Sequence, residues 1–358
     1  MIRRTAWVLT AAILLAACLP GCAGAPTAAG EDTFVFTDSS GRQVTLPRDI
    51  TRVAPSGAVA TMLLATIAPE YLVSAGSTPS SSQYKYLPQV LLTLPTTGQF
   101  YGSKSTLNLE ALLDAAPQVV IDLGDKKDGI DKDMDMVQKQ TGIPTLFIEA
   151  DLAHMAEAYR TLGGLLAGKT GKAEQLAAYI EDTLAAAAAN SAKISEEDRL
   201  SVMYTSGATG LNTNASGSVQ SQVIPLVGAV NAVVVEDIRN SGGGNTISME
   251  QLYLFDPDVI LFATGSVYSD VGSDPVWLEL SAVREGRYYE IPGLPYNWMS
   301  NPPSVNMVLG VWWLGNLLYP DVYDYDMADK TREFYSLFWG CDLAGEADAF
   351  LANSTGKN

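Results

Sequence analysis

The chain has 358 residues, of which 47% are apolar and 17% charged, enough for two domains with a core in each and a composition that argues against disorder beyond the ends. Its 40 Asp and Glu against 22 Lys and Arg argue against a general nucleic-acid surface. One histidine, His154, and three cysteines leave little from which to assemble a zinc site or a Ser-His-Asp triad.

Arg3 and Arg4 precede the apolar run Ala6 to Ala17, which is too short to span a bilayer and ends in small residues before Cys18, the pattern of an export signal. Leu15-Ala16-Ala17-Cys18 resembles the bacterial lipobox. That resemblance implies that residues 1–17 are a lipoprotein signal peptide and that a lipid on Cys18 anchors the exported chain to the membrane. Leu19-Pro20-Gly21-Cys22 is a weaker match that leaves Cys22 as the alternative, and a plain secretory signal with incidental cysteines is the other reading. Residues 18–33, rich in Ala, Gly, Pro and Thr, read as a flexible tether.

Phe34 to Asp38 and Gln43 to Leu46 alternate apolar residues around Gly41 and predict a hairpin. Thr51 to Ala54 is a short strand that stops at Pro55-Ser56-Gly57, directly before an apolar helix over Ala58 to Ala68. A strand, a small-residue turn and a helix start place backbone N–H groups at a strand's carboxyl end, where open α/β sheets present their ligand crevice; a tight turn without ligand is the alternative. Tyr71 to Ala75 reads as a strand, Ser77 to Tyr86 as a polar loop, Leu107 to Ala115 as a helix and Gln118 to Leu123 as a strand. Ile130 to Thr141 is a helix ended by Gly142, and Thr145 to Ile148 a strand.

Thr170 to Lys193 carries the longest helical signal, with Ala173, Leu176, Ile180, Leu184 and Ala187 three and four apart and the run Ala185 to Ala189. At 1.5 Å per residue such a helix spans roughly 30 Å, enough to tie two lobes together stiffly. Beyond it strands are expected at Leu200 to Tyr204, Val233 to Glu236, Asp258 to Ala263 and Tyr288 to Ile291. Helices are expected at Gln220 to Gly228, Ser248 to Leu254, Pro275 to Leu280, Met307 to Leu318 and Asp329 to Phe338. Short strands alternating with helices in both halves predict an α/β fold with mainly parallel sheets. Cys341 is expected as a buried, unpaired thiol.

One segment occurs twice. Leu107 to Ile121 aligns without a gap on Ile247 to Leu261, with Glu110 over Glu250, Pro117 over Pro257 and Val119 over Val259. Each copy describes a helix with Glu in its first turn, a proline break and a buried strand.

These features, in order, resemble a known family: Asp38 to Pro47 with Thr51-Arg52-Val53, Asn108-Leu109-Glu110 through Val119-Val120-Ile121, Gly142-Ile143-Pro144, Ser248-Met249-Glu250 through Val259-Ile260-Leu261, and Pro303-Ser304 ahead of Trp313 and Pro320. They are similar to the ABC-importer substrate-binding proteins with a helical backbone between lobes, the class III group that captures ferric siderophores, haem, cobalamin, molybdate or tungstate. The resemblance implies an N-terminal α/β lobe at 34–168, a connecting helix at 169–194, a C-terminal lobe at 195–345 and a tail at 346–358. It implies no catalysis and no cofactor, a permease dimer with a cytoplasmic ATPase as partner, a monomeric binding protein, and Glu110 and Glu250 as the docking residues.

In that fold the cleft is lined by loops after strand ends, which here gives Ser56, Tyr84, Tyr101, Asp125 to Lys127 with Lys126 among them, Asn212 to Ser216, Tyr268 and Tyr296 to Trp298. Tyrosines and a tryptophan suit an organic chelate, and Lys126, Lys127 and Arg239 could balance an anionic one, although loop lysines usually face solvent. The run Asn212 to Gly217 could equally donate to a small oxyanion or be solvated. A ferric chelate is expected ahead of molybdate or tungstate, with cobalamin third. A surface lipoprotein without a transport role and an exported enzyme are the rival classes, and the chain has no Gly-x-Ser-x-Gly elbow.

Overall fold

The computed structural model describes residues 32–102, 104–240, 243–300 and 302–351. The expected signal peptide, Cys18, Cys22 and the end of the tail lie outside them. The predicted hairpin forms: β1 (Thr33–Thr37) pairs antiparallel with β2 (Gln43–Pro47), Val35 opposite Thr45. Asp38 fixes its turn, accepting from the N–H groups of Ser40 and Arg42 at 3.0 and 2.9 Å.

β3 (Val53–Pro55) leads into α1 (Ala58–Ile67), which is almost wholly buried. The strand expected at Tyr71 to Ala75 is absent. Pro69, with φ preset for a helical turn, opens a 3-10 turn over Pro69–Tyr71, and the residues after it make only the single bridges Val53 to Leu72 and Ala75 to Thr96. Next come α2 (Leu109–Ala115), β4 (Val119–Gly124), α3 (Ile130–Thr141) and β5 (Thr145–Glu149). The three strands form a parallel sheet in the order β3, β4, β5.

The sequence reading did not anticipate α4 (Met155–Leu165), which has no side-chain cap and ends in Gly163-Gly164. It packs against α5 (Thr170–Ser191), the predicted long helix, whose 22 residues span roughly 33 Å. Gly163 allows the close approach, since a Cβ there would lie 2.4 Å from the Ala173 Cβ. α5 buries Ala173, Leu176, Ala177, Ile180, Thr183 and Ala187 along one face, while Leu184 is only half-buried.

The second half contains β6 (Ser201–Ser206), β7 (Asn212–Thr213), α6 (Val223–Leu226), β8 (Val230–Asn231), β9 (Asn245–Thr246) and α7 (Met249–Phe255). β10 (Val259–Phe262), α8 (Tyr268–Val271), α9 (Ser281–Arg284) and β11 (Tyr288–Glu290) complete it. The sheet runs β11, β10, β6, β7, β9. β8, β10 and β11 extend it in parallel with β6, while β7 and β9 pair antiparallel. The extended segment expected at Val233 to Glu236 is not a strand. The Asn231 side chain accepts from the Val233 N–H at 2.9 Å and ends the ladder at Asn231. Only the 3-10 turn Trp277–Glu279 forms within the helix expected at Pro275 to Leu280.

α10 (Asn306–Leu318) is buried over most of its length. α11 (Met327–Phe334) continues as a π-helical turn over Tyr335–Trp339 that Gly340 ends at φ 62°, and α12 (Ala347–Leu351) follows. α5 meets α1 and α4 on one side of the sequence and α6 and α10 on the other. Trp312 Nε1 on α10 donates to Thr183 Oγ1 on α5 at 3.0 Å. The main core takes in α1, α5, α10 and one face of the second sheet, including Val202, Tyr204 and Leu261. Met203, Ile260 and Phe262 alternate onto the opposite face and a second cluster. Cys341 is half-buried, its thiol 3.7 Å from the Lys85 carbonyl, and it is unpaired.

The duplicated segment folds alike in both places. α2 and α7 each have seven residues and a side-chain cap, Asn108 to the Ala111 N–H and Ser248 to the Gln251 N–H. Each ends in a left-handed residue before its proline, Ala116 at φ 45° and Asp256 at φ 33°, and each feeds a buried parallel strand.

Candidate functional site

The carboxyl ends of the first sheet open onto a cavity of about 400 Å³ that residues from both halves enclose. Ser56 sits immediately after β3 and the first turn of α1 follows it, so Gly57 to Ala60 form one wall. This close turn demands small residues: a Cβ on Gly57 would fall 2.1 Å from the Gln99 side chain, and one on Gly76 would fall 2.3 Å from the Gly57 carbonyl carbon. α1 has no side-chain cap, so its first backbone N–H groups have no side-chain partner where the positive end of the helix dipole meets the cavity wall.

The second half supplies Gln220, Gln222, Asn240 and, before α10, Pro303 and Ser304, none of them charged. α10 also starts without a side-chain cap. The hydroxyl of Ser304, a residue 1% exposed, and the side-chain Oε1 of Gln220, a residue 8% exposed, have no hydrogen-bond partner among the described residues. Burying such groups unpaired costs about 1–3 kcal/mol each, a penalty that a bound ligand would remove.

Asp122 lies at the cavity wall, 4% exposed. The register that sets Pro55 opposite Ile121 brings Ser56 beside it, and the Ser56 Oγ bonds Asp122 Oδ1. The Tyr101 hydroxyl donates to Asp122 Oδ2 at 2.7 Å. Burial pushes the Asp122 carboxyl above its ordinary value, against the lowering effect of both hydroxyls and of Lys127. Burial, followed by the Asp122 charge, pushes the Tyr101 phenol up in turn.

A second cavity, about 570 Å³, adjoins the first and shares Gln99, Tyr101 and Lys127 with it. Asn212 and Arg239 line it from the second half, and Lys104, Asp128 and Asp133 from the first. Three cations against two carboxylates leave this lining with one excess positive charge, in a chain of formal net charge −18.

Of the residues expected in the cleft, Ser56, Tyr101 and Asp125 line the inner cavity, Lys127 lines both, and Tyr101, Asn212 and Arg239 line the outer one. The others stand elsewhere: Thr213 to Ser216 and Asn297 line neither cavity, and Tyr296 packs against Trp339. Tyr84 is 41% exposed on the surface, and Lys126 Nζ donates to the Ser39 carbonyl at 2.8 Å, pinned to the hairpin turn. Tyr268 packs with Phe262 and Tyr288 in the second core, and Trp298 is fully buried, stacked on Phe350. Sequence reasoning missed Asp122, Gln99, Gln220 and Ser304. Asp122 alone left a trace, as the one charge inside the apolar strand Val119–Gly124.

Glu110 and Glu250 are exposed in the first turns of α2 and α7. Bonds from Ser248 and from its own backbone N–H hold the Glu250 carboxyl below its usual value. His154 precedes α4 and pairs with Asp151 at 2.6 Å. No cluster of three or more metal-ligating side chains, and no helix long and apolar enough to cross a membrane, occurs among the described residues.

Residues 53–294 match the model of a periplasmic binding protein family. An ABC transporter solute binding protein from Sulfurospirillum deleyianum is 30% identical, with 89% of this chain and 98% of that one covered at a TM-score of 0.80. The molybdate periplasmic binding protein MolA of Haemophilus influenzae, solved with molybdate bound, is 19% identical, with 86% and 98% covered at 0.68. CeuE of Helicobacter pylori, solved as a Ni-His complex, is 16% identical, with 89% and 98% covered at 0.64. These last two likenesses are of fold alone. No curated protein sequence matches the chain.

Proposed function

The chain belongs to the periplasmic binding protein family and is an extracytoplasmic solute-binding protein of an ABC importer, not an enzyme; on that premise we propose that its cargo is an anionic, oxygen-rich metal complex, a ferric chelate of siderophore type. The observation that carries this reading is the meeting of the uncapped start of α1 with the buried, unpartnered Ser304 hydroxyl and Gln220 side chain across one cavity. A helix amino terminus favours negative charge, the Ser304 hydroxyl can donate to a ligand oxygen, and the Gln220 amide oxygen can accept from a ligand hydroxyl. Cavities of about 400 and 570 Å³ suit a chelate better than a four-oxygen ion. Lys104, Lys127 and Arg239 at the outer mouth would draw the anion in.

Molybdate or tungstate is the second reading. It is favoured by the placement of Tyr84, Tyr268 and Trp298 away from the cavity, which leaves Tyr101 as the one expected aromatic residue that lines it. In either case the proposed division is 34–168, 169–194 and 195–345, with α5 as the brace. Glu110 and Glu250 dock a permease dimer, a lipid on Cys18 or Cys22 tethers a monomer, and the ATPase acts from the other side of the membrane.

The test is a melting-temperature screen against ferric siderophores, haem, corrinoids, molybdate and tungstate. A ligand at a hundred times its Kd stabilises by about 2.7 kcal/mol, a rise of several degrees. Shifts confined to ferric chelates support the first reading, and shifts confined to the oxyanions replace it with the second. No shift with any of them would remove the cargo reading.

A further inference from the structure

We propose that Asp122 and Ser56 form a proton-linked donor switch in the inner cavity: with Asp122 protonated, Ser56 turns its hydroxyl hydrogen to the bound anion, so that capture takes up one proton and release returns it. The inference rests on the reading that the cargo is anionic.

The hydrogen-bond inventory of the pair requires the two states. Ser56 has one hydrogen to give. While Asp122 is ionised, that hydrogen goes to its Oδ1, Tyr101 gives its own to Oδ2, and Ser56 shows only lone pairs to the cavity. A buried carboxylate and an acceptor oxygen then both face the place an anion would occupy. When Asp122 carries a proton, its carboxyl O–H donates to Ser56 Oγ, and the serine hydrogen is free to join the N–H groups at the start of α1. The proton comes from solvent, no covalent bond changes, and the anion meets a donor and no opposing charge.

The surroundings fit this use. Asp122 makes no ion pair among the described residues, because Lys127, the nearby cation, bonds Asp125 at 3.5 Å. Burial, which already raises the Asp122 carboxyl, acts in the same direction. The other charged groups around the two cavities are Lys104 before α2, Asp125, Lys127 and Asp128 on the loop after β4, Asp133 on α3, the Asp151–His154 pair on the loop after β5, and Arg239 before β9. From the second half only neutral residues line the inner cavity. His154 is the one other group among these whose titration is expected near neutrality, so it is the necessary control.

The experiment is calorimetric titration of the protein with molybdate, whose charge is constant between pH 6 and 8, and with a ferric tris-catecholate. It is run in two buffers of different ionisation enthalpy, which counts the protons exchanged. Above the pH at which free Asp122 ionises, the wild type is expected to take up close to one proton per anion, with affinity falling by about tenfold per pH unit. Asp122→Asn, whose amide donates to Ser56 at every pH, is expected to take up none and to bind at every pH as tightly as the wild type does with Asp122 protonated. Ser56→Ala is expected to bind more weakly and to keep only the part of the pH dependence that the Asp122 charge itself supplies. His154→Gln is expected to keep it. An unchanged pH dependence in Asp122→Asn, or its loss in His154→Gln, overturns the switch.

If neither probe binds, the cargo reading fails and a ligand-free measurement still decides. In carboxyl 13C NMR, with Asp122→Asn as the assignment control, an Asp122 signal that titrates near the ordinary aspartate value of about 3.9 overturns the proposal. One that stays protonated well above that value upholds the protonated state on which it depends.

Discussion

Two neighbouring glycines in α4 test whether the long helix is as firmly seated as its packing indicates. Gly163 is buried against α5, and an added Cβ would sit 2.4 Å from the Ala173 Cβ, whereas Gly164 has nothing within 4 Å. Carbon atoms rest at roughly 3.5–4.0 Å, so Gly163→Ala must push the two helices apart by more than about 1 Å. Such overpacking costs about 1–3 kcal/mol, against which alanine returns about 1 kcal/mol of helix propensity. The expected net effect is a loss of up to about 2 kcal/mol, a fall in melting temperature of up to roughly 6 °C. Gly164→Ala gains the same propensity without the clash and should raise the melting temperature by about 2–4 °C. The displacement also reaches the site, since Met155 at the start of α4 lines the inner cavity. Ligand affinity should therefore drop in the first variant and hold in the second. Thermal unfolding followed by circular dichroism reads the stability difference. A melting temperature for Gly163→Ala at or above that of the wild type would refute the packing argument.

Trp312→Phe removes the bond that ties α10 to α5 and should cost about 1–3 kcal/mol; in a double-mutant cycle with Thr183→Val, denaturant melts should show a coupling of about 1 kcal/mol, and strict additivity would count against the tie. Asp151 raises the His154 ring above its ordinary value of 6.5, so the pair's stabilisation is present below about pH 6.5 and lost as pH rises through the folded-state value. Melting curves of His154→Gln should accordingly fall below the wild type at pH 5.5 and coincide with it at pH 9, with less than about 1 kcal/mol at stake for a half-exposed ring. Glu110→Ala combined with Glu250→Ala should abolish import into cells while leaving ligand affinity intact, and unchanged uptake by the double variant would remove the docking assignment.

What could be read from the sequence was whatever local chemistry repeats or persists. The α2–β4 and α7–β10 units were legible because a cap, a first-turn glutamate, a proline and an apolar strand recur at fixed offsets. α5 was legible because 22 residues of high helix propensity need no tertiary help to announce themselves. α4 was not, since its glycine pair lowers local propensity for the sake of a contact with a helix that comes later in the chain. Ser56 was expected at a cavity from its place after a strand and lies there, whereas Asn212, expected on such a loop, reaches the outer cavity from β7, and Tyr101 lines both cavities although no strand precedes it directly. An aromatic residue on a loop carries no local sign of whether it faces a cleft or a core, and Tyr268 and Trp298 face the core. Asp122 was hidden because only the pairing of β3 with β4 reveals that its carboxyl meets a serine and a tyrosine.

The most direct test of the account is an anomalous-scattering structure of the protein with the metal complex that the melting screen selects, recorded at the absorption edge of its metal. The metal is expected inside the cavity between the first turn of α1 and Ser304, with ligand oxygens within hydrogen-bond distance of both. A metal peak on the outer surface, or a bound complex that leaves Ser304 and the start of α1 without contact, would contradict the account.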